Sequence, residues 1–215
     1  MTTQELTAHP ITKKRASSWR KRRVVLLRLA VLPVIALAVL TAPTWPEDSL
    51  MNVGVEMLGY FVLLAGLIVR IWATLYIGGR KSHELVAEGP YSVCRNPLYC
   101  GTFLIAVGAG LACSSLTLAA AMVVVLVPAH LAVTLEEERH LLALFPESYP
   151  QYMRDVPRYW PRWRQYRSRE WLTVSSHAAW RMCNNTALVL LLPAIEDLIE
   201  LLQHHHIIPV LLRLP

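Results

Sequence analysis

Apolar runs separated by short polar stretches make up most of this sequence. Four of the runs predict helices that enter a membrane, since a full crossing needs about 20 apolar residues. They cover Val24–Ala42, about Leu50–Ile77, about Leu98–Cys113 and about Leu116–Leu135. A fifth helix is predicted between residues 174 and 202, where charged and amide residues make the pattern uneven. This last helix could cross the membrane, re-enter it or lie along its surface.

The third and fourth runs are separated only by Ser114 and Ser115, and the third is short for a full crossing. A connector this short predicts a tight helical hairpin. The predicted fold class is therefore all-α: a polytopic membrane protein of about five transmembrane helices that includes a short hairpin. We divide it into a basic N-terminal segment (1–23), a membrane domain (24–170) and a C-terminal helical extension (171–215).

The basic residues lie on one side of the predicted helices. The connectors on the other side, PTWPEDS and SS, contain no lysine or arginine. Because cytoplasmic connectors of membrane proteins carry the excess of lysine and arginine, the N-terminus and both polar connectors are predicted to be cytoplasmic. The basic residues cluster before Val24, after the second run (Arg80, Lys81, Arg95) and after the fourth run (Arg139, Arg154, Arg158, Arg162, Arg164, Arg167, Arg169).

Composition agrees with a membrane protein. The chain is 54% hydrophobic and 17% charged, whereas soluble domains carry about 25% charged residues. The net charge of +6 could indicate nucleic acid, but the basic residues flank apolar runs, so the predicted partners are membrane lipids and not nucleic acid. The four cysteines have no metal-type spacing and are predicted to be reduced thiols among apolar neighbours. No metal site is predicted.

The polar segment GGRKSHELVAEGPYSVCRNPLY, residues 78–99, is rich in residues that form turns. Gly89-Pro90 predicts a tight turn, and Asn96-Pro97 predicts a helix start with proline near its first position. Between and beside these turns, a short piece of backbone carries Tyr91, Arg95, Asn96 and Tyr99. An arginine fork and free helix-start amides suit an anionic ligand. An ordinary basic connector with two turns would have the same pattern.

A second polar segment, LEEERHLLALFPESYPQYMRDVPRYWPRW, covers residues 135–163. It starts with Glu136, Glu137 and Glu138, where a membrane helix becomes an exposed one. The aromatic and arginine residues that follow are typical of an interfacial belt. That interpretation leaves the three glutamates without a role.

Together the two segments resemble the isoprenylcysteine carboxyl methyltransferase family and its phospholipid methyltransferase relatives. The resemblance covers about residues 50–163. Asn96 stands where the family usually has histidine, and Pro146 where it has glycine. The matching positions are His83, Leu85, Val86, Gly89, Pro90, Tyr91, Arg95, Pro97, Tyr99, Gly101, Glu137, Glu138, Leu141, Phe145, Tyr149, Tyr152, Pro157 and Arg158.

The resemblance implies S-adenosylmethionine as cofactor at the cytoplasmic face, and a lipophilic methyl acceptor that arrives from the bilayer. The acceptor could be a prenylated cysteine carboxylate or a lipid amine, and the oligomeric state stays open. There are two alternatives: a reductase of the membrane sterol type that uses NADPH, and a non-catalytic membrane scaffold. The residues expected to bind the cofactor are His83, Leu85, Val86, Gly89, Tyr91, Arg95, Asn96, Tyr99, Glu137 and Tyr149.

Two arginines are expected to contact the reacting groups. Arg158 follows a proline at the end of the family pattern. Arg70 lies inside the second apolar run, where an ionised side chain is costly and often functional. Arg70 could anchor a substrate carboxylate, or its side chain could extend to the nearby membrane surface.

Overall fold

The computed structural model describes residues 32–46, 49–80, 83–172 and 174–214, and these residues are mostly helical. The predicted basic segment 1–23 and the first part of the predicted helix Val24–Ala42 lie outside the described residues, although residues 32–40 are helical. The named helices are α1 (Leu50–Ile77), α2 (Pro90–Val93), α3 (Pro97–Ala112), α4 (Leu116–Leu144), α5 (Tyr149–Asp155), α6 (Ser176–Leu190) and α7 (Leu192–His204), with a 3₁₀ turn at Trp163–Gln165.

Helix α1 has the bounds that its apolar run predicted. At its start the Ser49 side chain accepts a hydrogen bond from the backbone N–H of Asn52 at 3.1 Å, which satisfies one of the otherwise unpaired amides of the first turn. At its end the N–H of Gly78 donates to Thr74 O at 2.8 Å. The helix therefore ends immediately before the first polar segment and holds that segment at one end of the molecule.

The predicted hairpin is formed by α3 and α4. Ser114 has a φ of 49° and makes the turn, and the Ser115 side chain accepts from the N–H of Leu118 at 3.1 Å. Helix α4 continues to Leu144, so the apolar run that ends near Leu135 and the exposed helix predicted after it form one helix. The polar residues that ended the apolar run are themselves good helix formers, so the change in polarity marks a change of surroundings and not the end of the helix.

Helices α1 and α3 pack closely because glycines face each other. A Cβ placed on Gly108 would lie 2.3 Å from the backbone N of Leu63, and one on Gly66 would lie 2.6 Å from the N of Ile105. A Cβ on Gly101 would lie 3.0 Å from the N of Arg70. Small residues at such contacts let membrane helices approach at backbone distance. This contact places Arg70 directly beside α3.

Among the described helices, α1 and α4 are long and apolar enough to cross a membrane, and α3 is a shorter apolar helix. Large apolar side chains on both long helices are exposed, including Phe61, Ile68 and Val124. Contiguous exposed apolar surface of this kind indicates contact with lipid or another apolar partner. The chain is therefore a mostly helical, membrane-associated protein, while the number of about five crossings stays a prediction.

The C-terminal extension differs from its prediction. The expected single helix is two helices, α6 and α7, with a break at Leu191 and proline in the first turn of α7. Proline lacks the N–H that would continue the α6 hydrogen-bond pattern.

The all-α prediction also missed a small sheet. Strands β1 (Thr41–Pro43) and β2 (Leu212–Leu214) pair in parallel. The Gln203 side chain donates to Val39 O at 2.8 Å and to Thr41 O at 3.2 Å. The C-terminal extension is thereby attached to the segment that precedes α1.

Candidate cofactor site

Gly89 fixes the backbone turn that opens the first polar segment. Its φ is +58°, a left-handed conformation that glycine adopts readily, and a Cβ would lie 2.3 Å from the ring of Tyr76. The N–H of Gly89 donates to Arg167 O at 2.6 Å, and the N–H of Arg167 donates to the Ser92 hydroxyl at 3.0 Å. The predicted tight turn is present, and it is hydrogen-bonded to residue 167, which follows the second polar segment.

Val86 and Tyr91 lie in a buried cluster with Ala73 and Tyr76. Burial raises the pKa of Tyr91 well above its usual value. The Tyr91 hydroxyl is itself buried and has no hydrogen-bond partner in the described part of the chain. Val86 therefore supports the segment by packing, whereas Tyr91 also offers a polar group that can bind a ligand.

Arg95 is the most informative of the predicted cofactor ligands. Its backbone N–H donates to Pro157 O at 2.9 Å, and its Nη2 lies 3.5 Å from Glu138 Oε1, with the Arg95 side chain 9% exposed. The Nε and Nη1 atoms are buried and have no hydrogen-bond partner among the described residues. A buried donor without a partner is costly, so this guanidinium can offer two donors to a ligand.

Glu138 lies between two arginines. Its Oε1 accepts from Arg158 Nε at 3.0 Å and its Oε2 from Arg158 Nη2 at 2.7 Å, while Oε1 also faces Arg95. The hydrogen bonds from Arg158 to this carboxylate raise the pKa of Arg158. Because Glu138 is bound in a fork by Arg158, the Arg95 guanidinium keeps N–H donors for a further acceptor, and a charged donor of this kind favours an anionic one.

Glu137, and not Glu138, is the cofactor ligand that the sequence predicts. The structure gives Glu137 a hydrogen bond from the Tyr99 hydroxyl at 2.9 Å and places Glu138 in the arginine cluster. The signal for Glu138 lies in α4, where His130, Thr134 and Glu138 are all buried. Their spacing of four residues puts them on one face of the helix.

Asn96 and Tyr99 lie close to this cluster. Asn96 Nδ2 donates to Arg158 O at 3.1 Å, so the amide at the usual histidine position joins α3 to the 157–159 segment. The Tyr99 ring contacts the His130 ring edge-on, with centroids 5.2 Å apart. The start of α3, the end of α4 and residues 157–159 therefore meet at one place.

Tyr149 and Leu85 belong to a second buried cluster. Tyr149, Tyr152 and Val156 are buried together, and Leu85 packs against them. The Tyr152 hydroxyl donates to Tyr91 O at 2.8 Å, and burial raises the pKa of Tyr149 to about 12. Tyr149 and Leu85 thus help to hold the two polar segments together.

The structure places two predicted site residues elsewhere. His83 is exposed, and no contact among the described residues joins its side chain to the Arg95–Glu138 cluster. Arg70 Nη1 donates to the Thr102 hydroxyl at 2.5 Å, and Arg70 lines a cavity of about 330 Å³ with Leu98 and Asn185. This cavity lies between α1 and α6, beside the first turn of α3.

Comparison with known proteins places this site in a family. The chain matches the phospholipid methyltransferase family over residues 55–148, from α1 through the Arg95 segment to the end of α4. It is 33% identical over 210 residues, 95% of this chain and 92% of the relative, to the nickel-cobalt-cadmium resistance protein NccN of Alcaligenes xylosoxydans xylosoxydans. It is 38% identical over 131 residues, 61% of this chain and 58% of the relative, to the cobalt-zinc-cadmium resistance protein CzcN of Cupriavidus metallidurans. No solved structure matches the chain. The methyltransferase resemblance seen in its motifs is thereby confirmed, and the chain belongs to the phospholipid methyltransferase family.

Proposed function

We propose that the chain transfers a methyl group from S-adenosylmethionine to a lipophilic acceptor at the cytoplasmic face of a membrane. The observation that carries this proposal is the Arg95 guanidinium, whose Nε and Nη1 are buried without a partner. It lies at the start of α3 inside the family match. A carboxylate is a strong acceptor for one of these N–H groups, and the other, on a different edge of the guanidinium, can donate to a second polar group of the same ligand.

The residues around Arg95 fit the rest of the cofactor. Glu137 and Tyr99 offer a carboxylate and a hydroxyl for its ammonium and ribose groups, and Tyr91 brings a buried hydroxyl without a partner. When bound, the cofactor supplies a methyl group on a sulfonium. The chain's residues then orient the acceptor in line with it and exclude water, which are the main requirements of such a displacement.

The arrangement of charge and apolar surface favours an acceptor that comes from the bilayer. Arg70 lies in the cavity beside Leu67 and Leu98, so an amphiphile could place an acidic group at Arg70 and its chain against the apolar wall. The excess of lysine and arginine in the polar connectors supports a cytoplasmic site.

The two relatives are named for resistance to metal ions. We extend that setting to this chain: methylation of a membrane component is its contribution to resistance. The Arg95–Glu138 cluster favours this role over capture of metal cations, because two arginines there face one carboxylate.

Transfer of label tests the proposal. Membranes that contain the chain are incubated with S-adenosylmethionine labelled on its methyl group, and lipids extracted into organic solvent are counted. We expect label in the extract, loss of it with Arg95→Ala, and no change with Arg139→Ala, whose side chain is 77% exposed. No label above membranes without the chain contradicts the proposal, and oxidation of added NADPH would favour the reductase alternative.

A further inference from the structure

Two cysteines flank the segment that carries Arg95. Cys94 ends α2 and Cys100 lies in the first turns of α3. Their Sγ atoms are 3.6 Å apart, although five residues separate them in the sequence. The helix start at Pro97 turns the chain back and brings the thiols together. Cys94 is buried, and Cys100 is partly exposed.

Both thiols also contact the backbone of residues 158 and 159, which follow helix α5. Cys94 Sγ donates to Arg158 O at 3.6 Å, and Cys100 Sγ donates to Tyr159 O at 3.4 Å. The Arg158 carbonyl also accepts from Asn96. The thiol hydrogens therefore contribute to the contact that keeps Arg95 next to Glu138 and Arg158.

We propose that Cys94 and Cys100 form a redox-active pair that a peroxide converts to an intramolecular disulfide. A disulfide needs an S–S distance of about 2.05 Å, so each sulfur has to move by less than about 1 Å from its present position. Side-chain rotation can supply a shift of this size. The pair is reduced in a reducing cytoplasm and oxidises only under oxidant stress.

The oxidation proceeds in two balanced steps. The more exposed thiol, Cys100, reacts with hydrogen peroxide to give a sulfenic acid and water. The Cys94 thiol then attacks that sulfur, forms the S–S bond and releases a second water. One peroxide is reduced to two waters as two thiols are oxidised to one disulfide.

The disulfide removes both S–H donors and closes a covalent loop of the chain that contains Arg95, Asn96 and Tyr99. The contacts of the two thiols with the Arg158 and Tyr159 carbonyls are then lost. On the basis of the proposed function, we expect oxidation to weaken binding of S-adenosylmethionine by about tenfold, or about 1.4 kcal/mol.

Intact-protein mass spectrometry tests the pair directly. The purified chain in detergent is treated with hydrogen peroxide, and we expect a mass loss of about 2 Da that a dithiol reverses, with the cross-link mapped between the peptides that contain Cys94 and Cys100. Cys113→Ser should keep this loss, whereas Cys94→Ser and Cys100→Ser should abolish it. Cys94→Ser should instead accumulate a sulfenic acid at Cys100 that a dimedone probe captures.

Two results would overturn the proposal. One is a dimedone adduct in the unaltered chain with no mass loss, because the sulfenic acid would then have no partner thiol. The other is a mass loss that survives Cys94→Ser. Titration of S-adenosylmethionine into the reduced and the oxidised chain is a separate readout. If neither form binds S-adenosylmethionine, the proposed function fails while the disulfide result stands. If the reduced and the oxidised chain bind it equally, the link between oxidation and the cofactor site is overturned.

Discussion

The Glu138→Gln substitution tests the buried charge cluster. Glu138 has a side chain only 7% exposed, and it accepts two hydrogen bonds from Arg158 while facing the equally buried Arg95. Glutamine keeps the size of the side chain but removes its charge. Arg95 and Arg158 would then repel each other without a carboxylate between them.

The expected loss of stability is large. Removing one partner of a buried ion pair costs about 3–5 kcal/mol, because the other charge stays buried without compensation. We take about 3 kcal/mol, since Arg158 is partly exposed and can turn to solvent. For a chain of this size each kcal/mol lowers the melting temperature by about 2–4 °C, so a fall of about 6–12 °C is expected.

Thermal unfolding in detergent, followed by circular dichroism, measures this fall. The control is Glu136→Gln on the same helix: Glu136 is 47% exposed and its partner Arg139 is 77% exposed, 3.5 Å away. Exposed pairs contribute less than about 1 kcal/mol, so the control should melt within about 4 °C of the unaltered chain. Equal melting temperatures for Glu138→Gln and Glu136→Gln would refute the reasoning.

Three further predictions concern stability. Gly89→Ala should lower the melting temperature, because Gly89 has a φ of +58° and a Cβ would lie 2.3 Å from the Tyr76 ring. The control Gly54→Ala should not lower it, because a Cβ on Gly54 would have nothing within 4 Å. Equal effects of the two substitutions would contradict the turn geometry. Gly108→Val should also lower it by pushing α3 away from Leu63, and an unchanged melting temperature would mean that the helices do not pack at backbone distance. Because Tyr149 has its pKa raised from 10.0 to about 12, the folded state keeps a proton that the unfolded state loses, so stability should fall as pH rises from about 10 to about 12. Melting curves across that range should show a smaller fall for Tyr149→Phe, and an identical fall would contradict the assignment.

The helices that the sequence predicted well are those with long apolar runs. Helix α1 has the expected bounds, and the α3–α4 hairpin follows from two serines between apolar runs. The pairing of Thr41–Pro43 with Leu212–Leu214 could not be predicted, because no local pattern selects the partner of a three-residue strand across the length of the chain. The C-terminal break could have been recognised, since proline disfavours continuation of a helix.

In the candidate site, too, the contacts that depend on the three-dimensional fold could not be predicted from the sequence. The resemblance identified Arg95, Asn96 and Glu137. In the structure Arg95 faces the carboxylate that binds Arg158, Asn96 donates to the Arg158 carbonyl, and Glu137 accepts from Tyr99. The resemblance selected Glu137 as the ligand and did not identify Glu138 as the carboxylate between the arginines, because neighbouring residues on a helix face different directions and only the helical phase decides which is buried. Sequence spacing also gave no sign that Cys94 and Cys100 meet, since that contact depends on the turn before α3.

Isothermal titration of S-adenosylmethionine into the detergent-purified chain tests the central claim most directly. The account predicts micromolar binding that is weakened at least about tenfold by Arg95→Ala, partly kept by Arg95→Lys, which retains the charge but not the fork, and unchanged by Arg139→Ala. Absence of binding, or equal binding by the unaltered chain and Arg95→Ala, would contradict the assignment of the buried Arg95 donors to the cofactor.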